Sequence, residues 1–294
     1  MRFGDRRTSD NVEYREGGGG GFGFGGGGGR GGGMLLGLIF SRFGLLGVLI
    51  VGGLGYLVGG DPLGLMGGGV QQAENAPANR NAGQVCASDP TYRFACQALA
   101  STEDQWAVMF RDMGRTYEPP RLAFYTRGAS SGCGAADSRM GPFYCPADRR
   151  IYLDTSFFDE LARRFAAPGD FAQAYVIAHE VGHHIQLLLG VEQRVRSAQS
   201  GASEAQRNAI QVRMELQADC LAGAWASREQ GAMEPGDLEE GMRAAAAIGD
   251  DTLSGNAAAP ESFTHGTSAQ RQQALMRGWR GGSWAACESY TAGL

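Results

Sequence analysis

Residues 1–16 are polar and charged, and residues 17–33 are almost pure glycine, interrupted by Phe22, Phe24 and Arg30. Such a run buries too little apolar surface to offset its ordering entropy, so a disordered N-terminus is expected over 1–33. At Met34 the pattern reverses: up to Gly60 the only charge is Arg42. At about 1.5 Å per residue this stretch spans roughly 40 Å, more than a bilayer core of about 30 Å, and a transmembrane helix over 34–60 is predicted. Arg42 lies near one end, where it can snorkel to the headgroups.

Residues 61–84, with Gly67-Gly68-Gly69 and Pro77, read as a linker, and a folded domain is expected over 85–294. Within it a helical pattern covers 93–114. Arg121–Thr126 reads as a strand, and Tyr144–Leu153 as an extended segment that forms a second one. Helices are predicted over 156–166, 170–189, 203–230, 236–249 and 267–279, with Asp170 as an N-cap and Gly190 as a stop. The expected fold class is α+β, mainly helical with a small sheet, preceded by one transmembrane helix.

Charge and cysteine usage then bear on compartment. The chain carries 26 basic and 31 acidic residues, a net charge of −5, so it lacks the basic field that nucleic acid requires, and no nucleic-acid partner is expected. Every basic residue is arginine, which excludes Schiff-base and P-loop lysine chemistry. Six arginines precede or open the apolar stretch, whereas residues 61–84 contain only Arg80. By the positive-inside bias the N-terminus is cytoplasmic and the domain extracytoplasmic, as in a single-pass membrane protein. The six cysteines all lie beyond residue 85, and none forms a C-x-x-C pair, which favours disulfides over a thiolate metal site. Cys133 with Cys145 across a short loop is the first expected pair, and Cys220 with Cys287 the second.

Three of the four histidines fall within His179–His184. In His179-Glu180-Val181-Gly182-His183 the two outer residues are four apart and share a helix face, so both imidazoles can address one Zn²⁺. Glu180 is rotated about 100° away, placed to take a proton from a water at the metal without binding it. A catalytic zinc needs three protein ligands and an open position. Glu215 and Asp219, again four apart on the next long predicted helix, supply a third ligand, Glu215, and a neighbour, Asp219, that can hold a ligand histidine by its second nitrogen. A three-histidine site would need His at 189 and Gly at 186, where Leu189 and Gln186 stand. His184 faces away from the ligands and is expected to be structural. His265, the remaining histidine, opens a predicted helix and is a candidate for stabilising the transition state, with Arg271 and Tyr290 as alternative donors.

These residues resemble the putative neutral zinc metallopeptidase family of bacterial membrane proteins. The resemblance runs from Met1-Arg2-Phe3 and Ser9-Asp10-Asn11-Val12-Glu13 through His179-Glu180-Val181-Gly182-His183-His184-Ile185-Gln186 and Glu215-Leu216-Gln217-Ala218-Asp219-Cys220 to His265-Gly266-Thr267-Ser268. It implies a zincin-like domain. The Glu-x-x-x-Asp element is also similar to that of gluzincin peptidases, which implies Glu215 as ligand, Asp219 as its neighbour, and an edge strand around Tyr144–Leu153 that binds an extended peptide. The expected function is a membrane-anchored zinc endopeptidase. A non-catalytic, zinc-stabilised binding module and a zinc hydrolase acting on cell-wall material are the alternatives.

Overall fold

The computed structural model describes residues 1–15, 81–255 and 258–294. Four short strands form the main sheet: β1 (Val12–Arg15), β2 (Arg121–Tyr125), β5 (Phe143–Cys145) and β6 (Arg150–Leu153), in the order β1-β2-β6-β5. The first three in that order run parallel, and β5 is antiparallel to β6 at one edge. A separate hairpin joins β3 (Gly128–Ser131) to β4 (Gly134–Asp137). The expected extended segment at 144–153 is thus two strands, and Arg149 makes the turn between them with φ of 56°.

Every residue of β2 after Arg121 is buried, because both faces of the strand are covered. Leu122 and Phe124 face the helical core with Ile151 and Leu153, while Ala123 and Tyr125 face the hairpin side with Tyr152 and Cys145. This is the period-2 alternation of a strand buried on both sides.

The helices are α1 (Ala82–Ala87), α2 (Pro90–Asp112), α3 (Ser156–Arg163), α4 (Asp170–Leu188), α5 (Val191–Gln199), α6 (Glu204–Ala226), α7 (Asp237–Ala247), α8 (Asp250–Leu253), α9 (Ser268–Gly281) and α10 (Trp284–Cys287). Local chemistry sets several of their starts. Asp89 caps α2, with Pro90 at its first position. Ser203 with Gln206 and Thr267 with Gln270 form capping boxes at α6 and α9. Asp170 is the first residue of α4 rather than its cap, and its carboxylate is spent on the Met1 ammonium, which Asp237 also holds at 2.9 Å. Gly190, at φ of 70°, ends α4 as expected.

The N-terminal residues are not a tail. Met1 and Phe3 are buried in the main core, and β1 pairs with β2, Val12 opposite Leu122. Three of the six arginines read as a positive-inside signal are ion-paired with the domain: Arg2 with Glu234 at 2.7 Å, Arg7 with Glu103 at 2.9 Å, and Arg6 with Glu229. Among the described residues no helix is long and apolar enough to cross a membrane, and the span expected over 34–60 lies outside them. The sheet adds a physical objection to a single-pass arrangement. One crossing between β1 and β2 would leave two hydrogen-bonded strands on opposite faces of a bilayer. The expected fold class is corrected to a mainly helical domain with small sheets and no supported transmembrane helix. The single-pass localisation, with a cytoplasmic N-terminus and an extracytoplasmic domain, is overturned with it.

Three disulfides form: Cys86–Cys96, Cys133–Cys145 and Cys220–Cys287. Both expected pairs are among them. The second ties the β3–β4 turn to the end of edge strand β5, and the third ties α10 to α6.

Two close helix contacts position the site. A Cβ on Gly182 of α4 would lie 2.9 Å from the Ala218 carbonyl oxygen of α6, so glycine between the two histidines lets α4 and α6 touch at backbone level. On the other side of α6, a Cβ on Gly278 of α9 would lie 1.7 Å from the Cys220 carbonyl oxygen. Gly278→Ala therefore has to push α9 off α6, and backbone atoms give way less readily than side chains. The expected loss is about 1–3 kcal/mol of stability, read by denaturant unfolding. A variant as stable as wild type would show that the helix pair is not closely packed.

Candidate metal centre

α4 is buried nearly all round, as a core helix should be, yet it carries His179, Glu180, His184 and Gln186 inside. Buried polar groups of this kind persist only with partners. The structure brings the Nε2 atoms of His179 and His183 against Glu215 of α6, and one donor atom from each residue lies within 4.8 Å of the others. Ligands about 2.0–2.1 Å from a tetrahedral zinc stand about 3.3–3.4 Å apart. Glu215 Oε2 is 3.3 Å from His179 Nε2 and 3.5 Å from His183 Nε2, so the carboxylate stands from both imidazoles at the separation that zinc ligands take. A second carboxylate group, Asp170, Asp237 and Glu240, also converges among the described residues, but the Met1 ammonium lies against two of its members.

The electrostatics suit a cation. Burial resists charge on His179, but Asp219 and Glu215 outweigh it and raise its pKa to about 9. Burial likewise opposes charge on His183, and Glu215 overcomes it. Burial would push Glu215 up, yet the two imidazoles hold it well below the usual carboxylate range. Protons here stand in for a cation, and a metal ion entering the site has to displace them.

Asp219 is placed behind His179. Its Oδ1 accepts from His179 Nδ1 at 2.8 Å, from the Tyr175 hydroxyl at 2.6 Å and from Arg271 Nη2 at 2.8 Å. Its Oδ2 accepts from Arg271 Nε at 2.9 Å. Burial opposes ionisation of Asp219, but Arg271 and then His179 prevail and lower its pKa. With Nδ1 of His179 donating to Asp219, Nε2 keeps its lone pair for the metal position. Arg271, one of the sequence alternatives for an oxyanion donor, is fully occupied in this bidentate clamp. Tyr290, the other alternative, packs its ring under Arg277.

Glu180 is buried and stands outside the convergent trio. Burial raises its pKa, opposed by His179 and His183 and, to a smaller extent, by the backbone N–H of Tyr144 on β5. Edge strand β5 therefore runs beside this group. His184 accounts for that placement: its Nε2 donates to the Glu118 carbonyl at 2.6 Å, and its Nδ1 accepts from the Tyr144 hydroxyl at 2.9 Å. Burial then holds it neutral, with a pKa lowered to about 4. His184 is a strut between α4 and the edge strand.

His265 lies in a loop that α6 supports. Gly266, at φ of 86°, packs against Val212 and Leu216, the latter adjacent to Glu215, and His265 contributes to the field that lowers the Glu215 pKa. Asp250 holds this loop. Its Oδ2 accepts from the backbone N–H groups of Thr264, His265 and Gly266 at 2.8, 2.6 and 3.0 Å, and its Oδ1 lies 3.2 Å from His265 Nδ1. Sequence reasoning missed Asp250, and also Tyr175, Gln186 and Gln217. Asp250, Tyr175 and Gln217 act across tertiary contacts and carry no local signal, whereas Gln186 lies one turn beyond His183 on α4, a spacing that could have pointed to it.

Two packed helices thus share a donor set that could hold a metal ion, with the buried carboxylate of Glu180 next to His179. The chain belongs to the family described as "putative neutral zinc metallopeptidase", whose model matches residues 1–290. It is 45% identical over 299 residues to the uncharacterized protein YpfJ of Escherichia coli strain K12, covering 99% of each chain. It is 37% identical over 216 residues to the uncharacterized protein Rv2575 of Mycobacterium tuberculosis strain H37Rv, covering 68% of this chain and 72% of that relative. No solved structure matches the chain.

Proposed function

We propose that this protein is a zinc-dependent endopeptidase in which His179, His183 and Glu215 hold the metal and Glu180 is the general base. The observation that carries the reading is the position of Glu180, a buried carboxylate next in sequence to His179 and within the field of His179, His183 and Glu215. Zinc bound there would supply Lewis acidity, lowering the pKa of water and polarising a carbonyl oxygen. Glu180 takes the proton from the attacking water and returns it to the leaving amine. Its burial raises its proton affinity, which suits both halves of that transfer. Among the described strands, the outer side of β5 has no partner. An extended peptide can add there by backbone pairing, and its scissile bond then passes Glu180. His265 donates a ring N–H to the carbonyl oxygen as negative charge develops on it.

The test uses the full chain loaded with zinc and an unstructured protein substrate such as casein, with the fragments mapped by mass spectrometry. Internal cleavage that a chelator abolishes and added zinc restores is expected. Casein left intact by stoichiometrically loaded protein would overturn the reading.

A further inference from the structure

The imidazole of His183 is held by a different partner from that of His179, and the chain of contacts leads away from α4. His183 Nδ1 lies 2.9 Å from Gln186 Oε1. Gln186 Nε2 lies 2.7 Å from the Met214 carbonyl and 3.1 Å from Gln217 Oε1. Gln217 Nε2 in turn lies 3.1 Å from the Cys287 carbonyl and 2.8 Å from Thr291 Oγ1. Gln186, Gln217 and Thr291 are all buried.

Two backbone carbonyls set the direction of every bond in this series. A carbonyl oxygen only accepts, so the amide nitrogen of Gln217 must face Cys287 and that of Gln186 must face Met214. The Gln217 oxygen is then the acceptor for Gln186, and the Gln186 oxygen is turned to His183. An amide oxygen also only accepts, so Nδ1 of His183 carries a proton and Nε2 is the nitrogen directed to Glu215. The far end of the series is fastened independently. Cys287 is joined to Cys220 of α6, and Arg213 of α6 donates to the carbonyls of Tyr290 and Ala292 at 2.6 and 2.7 Å.

We infer that the C-terminal segment 287–292 is a working part of the metal centre, fixing the ring of His183 through Gln217 and Gln186. Gln186, Gln217 and Thr291 are positioning residues, since none lies among the convergent donors. The inference rests on the zinc reading above. It divides the support of the two histidines: a charged clamp from Asp219 and Arg271 behind His179, and a neutral amide relay from the C-terminal segment behind His183.

Zinc affinity of the full chain, measured by competition with a chromogenic chelator, tests it alongside the unfolding midpoint of the zinc-free form. Gln186→Leu should weaken zinc binding by about 10–100-fold, the usual range for a group that orients a ligand histidine. Gln217→Leu should weaken it by about 10-fold and Thr291→Val by about 3-fold, a graded loss along the relay. Gln186→Glu keeps an acceptor for His183 but loses the donor to Met214 and Gln217, so it should recover only part of the affinity that leucine loses. Wild-type affinity in both Gln217→Leu and Thr291→Val overturns the inference, as does a lowered midpoint in those variants with affinity unchanged, which marks packing alone. A wild-type chain that takes up no zinc overturns the zinc reading itself, and the relay falls with it.

Discussion

Glu180→Gln should retain one zinc per chain and lower kcat by about 10²–10⁴-fold, the range that positioned general acid–base groups contribute. The substitution is nearly isosteric. It leaves the Tyr144–His184 hydrogen bond in place, so edge strand β5 keeps its contact with α4. The ligand donors are untouched, because Glu180 stands outside the trio of His179, His183 and Glu215. What disappears is proton affinity: an amide cannot take the proton of an attacking water or carry it to the leaving amine. Zinc content by elemental analysis and cleavage rate on the same preparation give the answer together. Loss of zinc would make Glu180 a support of the metal site. A kcat close to wild type would remove it as the base.

The donor set was readable because helices convert spacing into direction. His179 and His183 share a face whatever the rest of the chain does, and so do Glu215 and Asp219. Those pairs needed only one further condition, that α4 and α6 cross between them, and Gly182 meeting Ala218 supplies it. Gln186, Gln217 and Asp250 were harder to read for the converse reason. Glutamine and aspartate occur on most solvated helix faces, and only the contacts of Gln186 with Met214 and Gln217, of Gln217 with Cys287 and Thr291, and of Asp250 with the 264–266 loop give these three a role. The largest misreading came from the N-terminus. Val12–Arg15 has one apolar residue buried in the core and pairs with a strand more than a hundred positions away, so nothing local distinguishes it from a polar tail. The arginines beside it look like a topology signal until their carboxylate partners, Glu103, Glu229 and Glu234, are seen. Hydropathy describes a segment by itself; it does not register that the residues flanking it share a sheet.

His265→Ala should lower kcat by about 10²–10³-fold, the usual effect of deleting one donor to a developing oxyanion, with zinc content and unfolding midpoint near wild type. Asp250 takes three successive backbone N–H groups of the 264–266 loop on one oxygen and faces His265 Nδ1 with the other. That leaves Nε2 as the ring nitrogen for a substrate, and in the imidazolium form it donates. The backbone half of the clamp survives the alanine substitution, so the loop should stay docked against Val212 and Leu216 of α6. The effect should therefore appear in kcat rather than in KM, because the carbonyl oxygen gains negative charge only in the transition state. An increase in KM at constant kcat would assign His265 to substrate binding. Loss of zinc would show that the field it exerts on Glu215 supports the ligand instead. Unchanged kinetics would take it out of the reaction, and with Arg271 committed to Asp219 no histidine or arginine named from the sequence would remain as the donor.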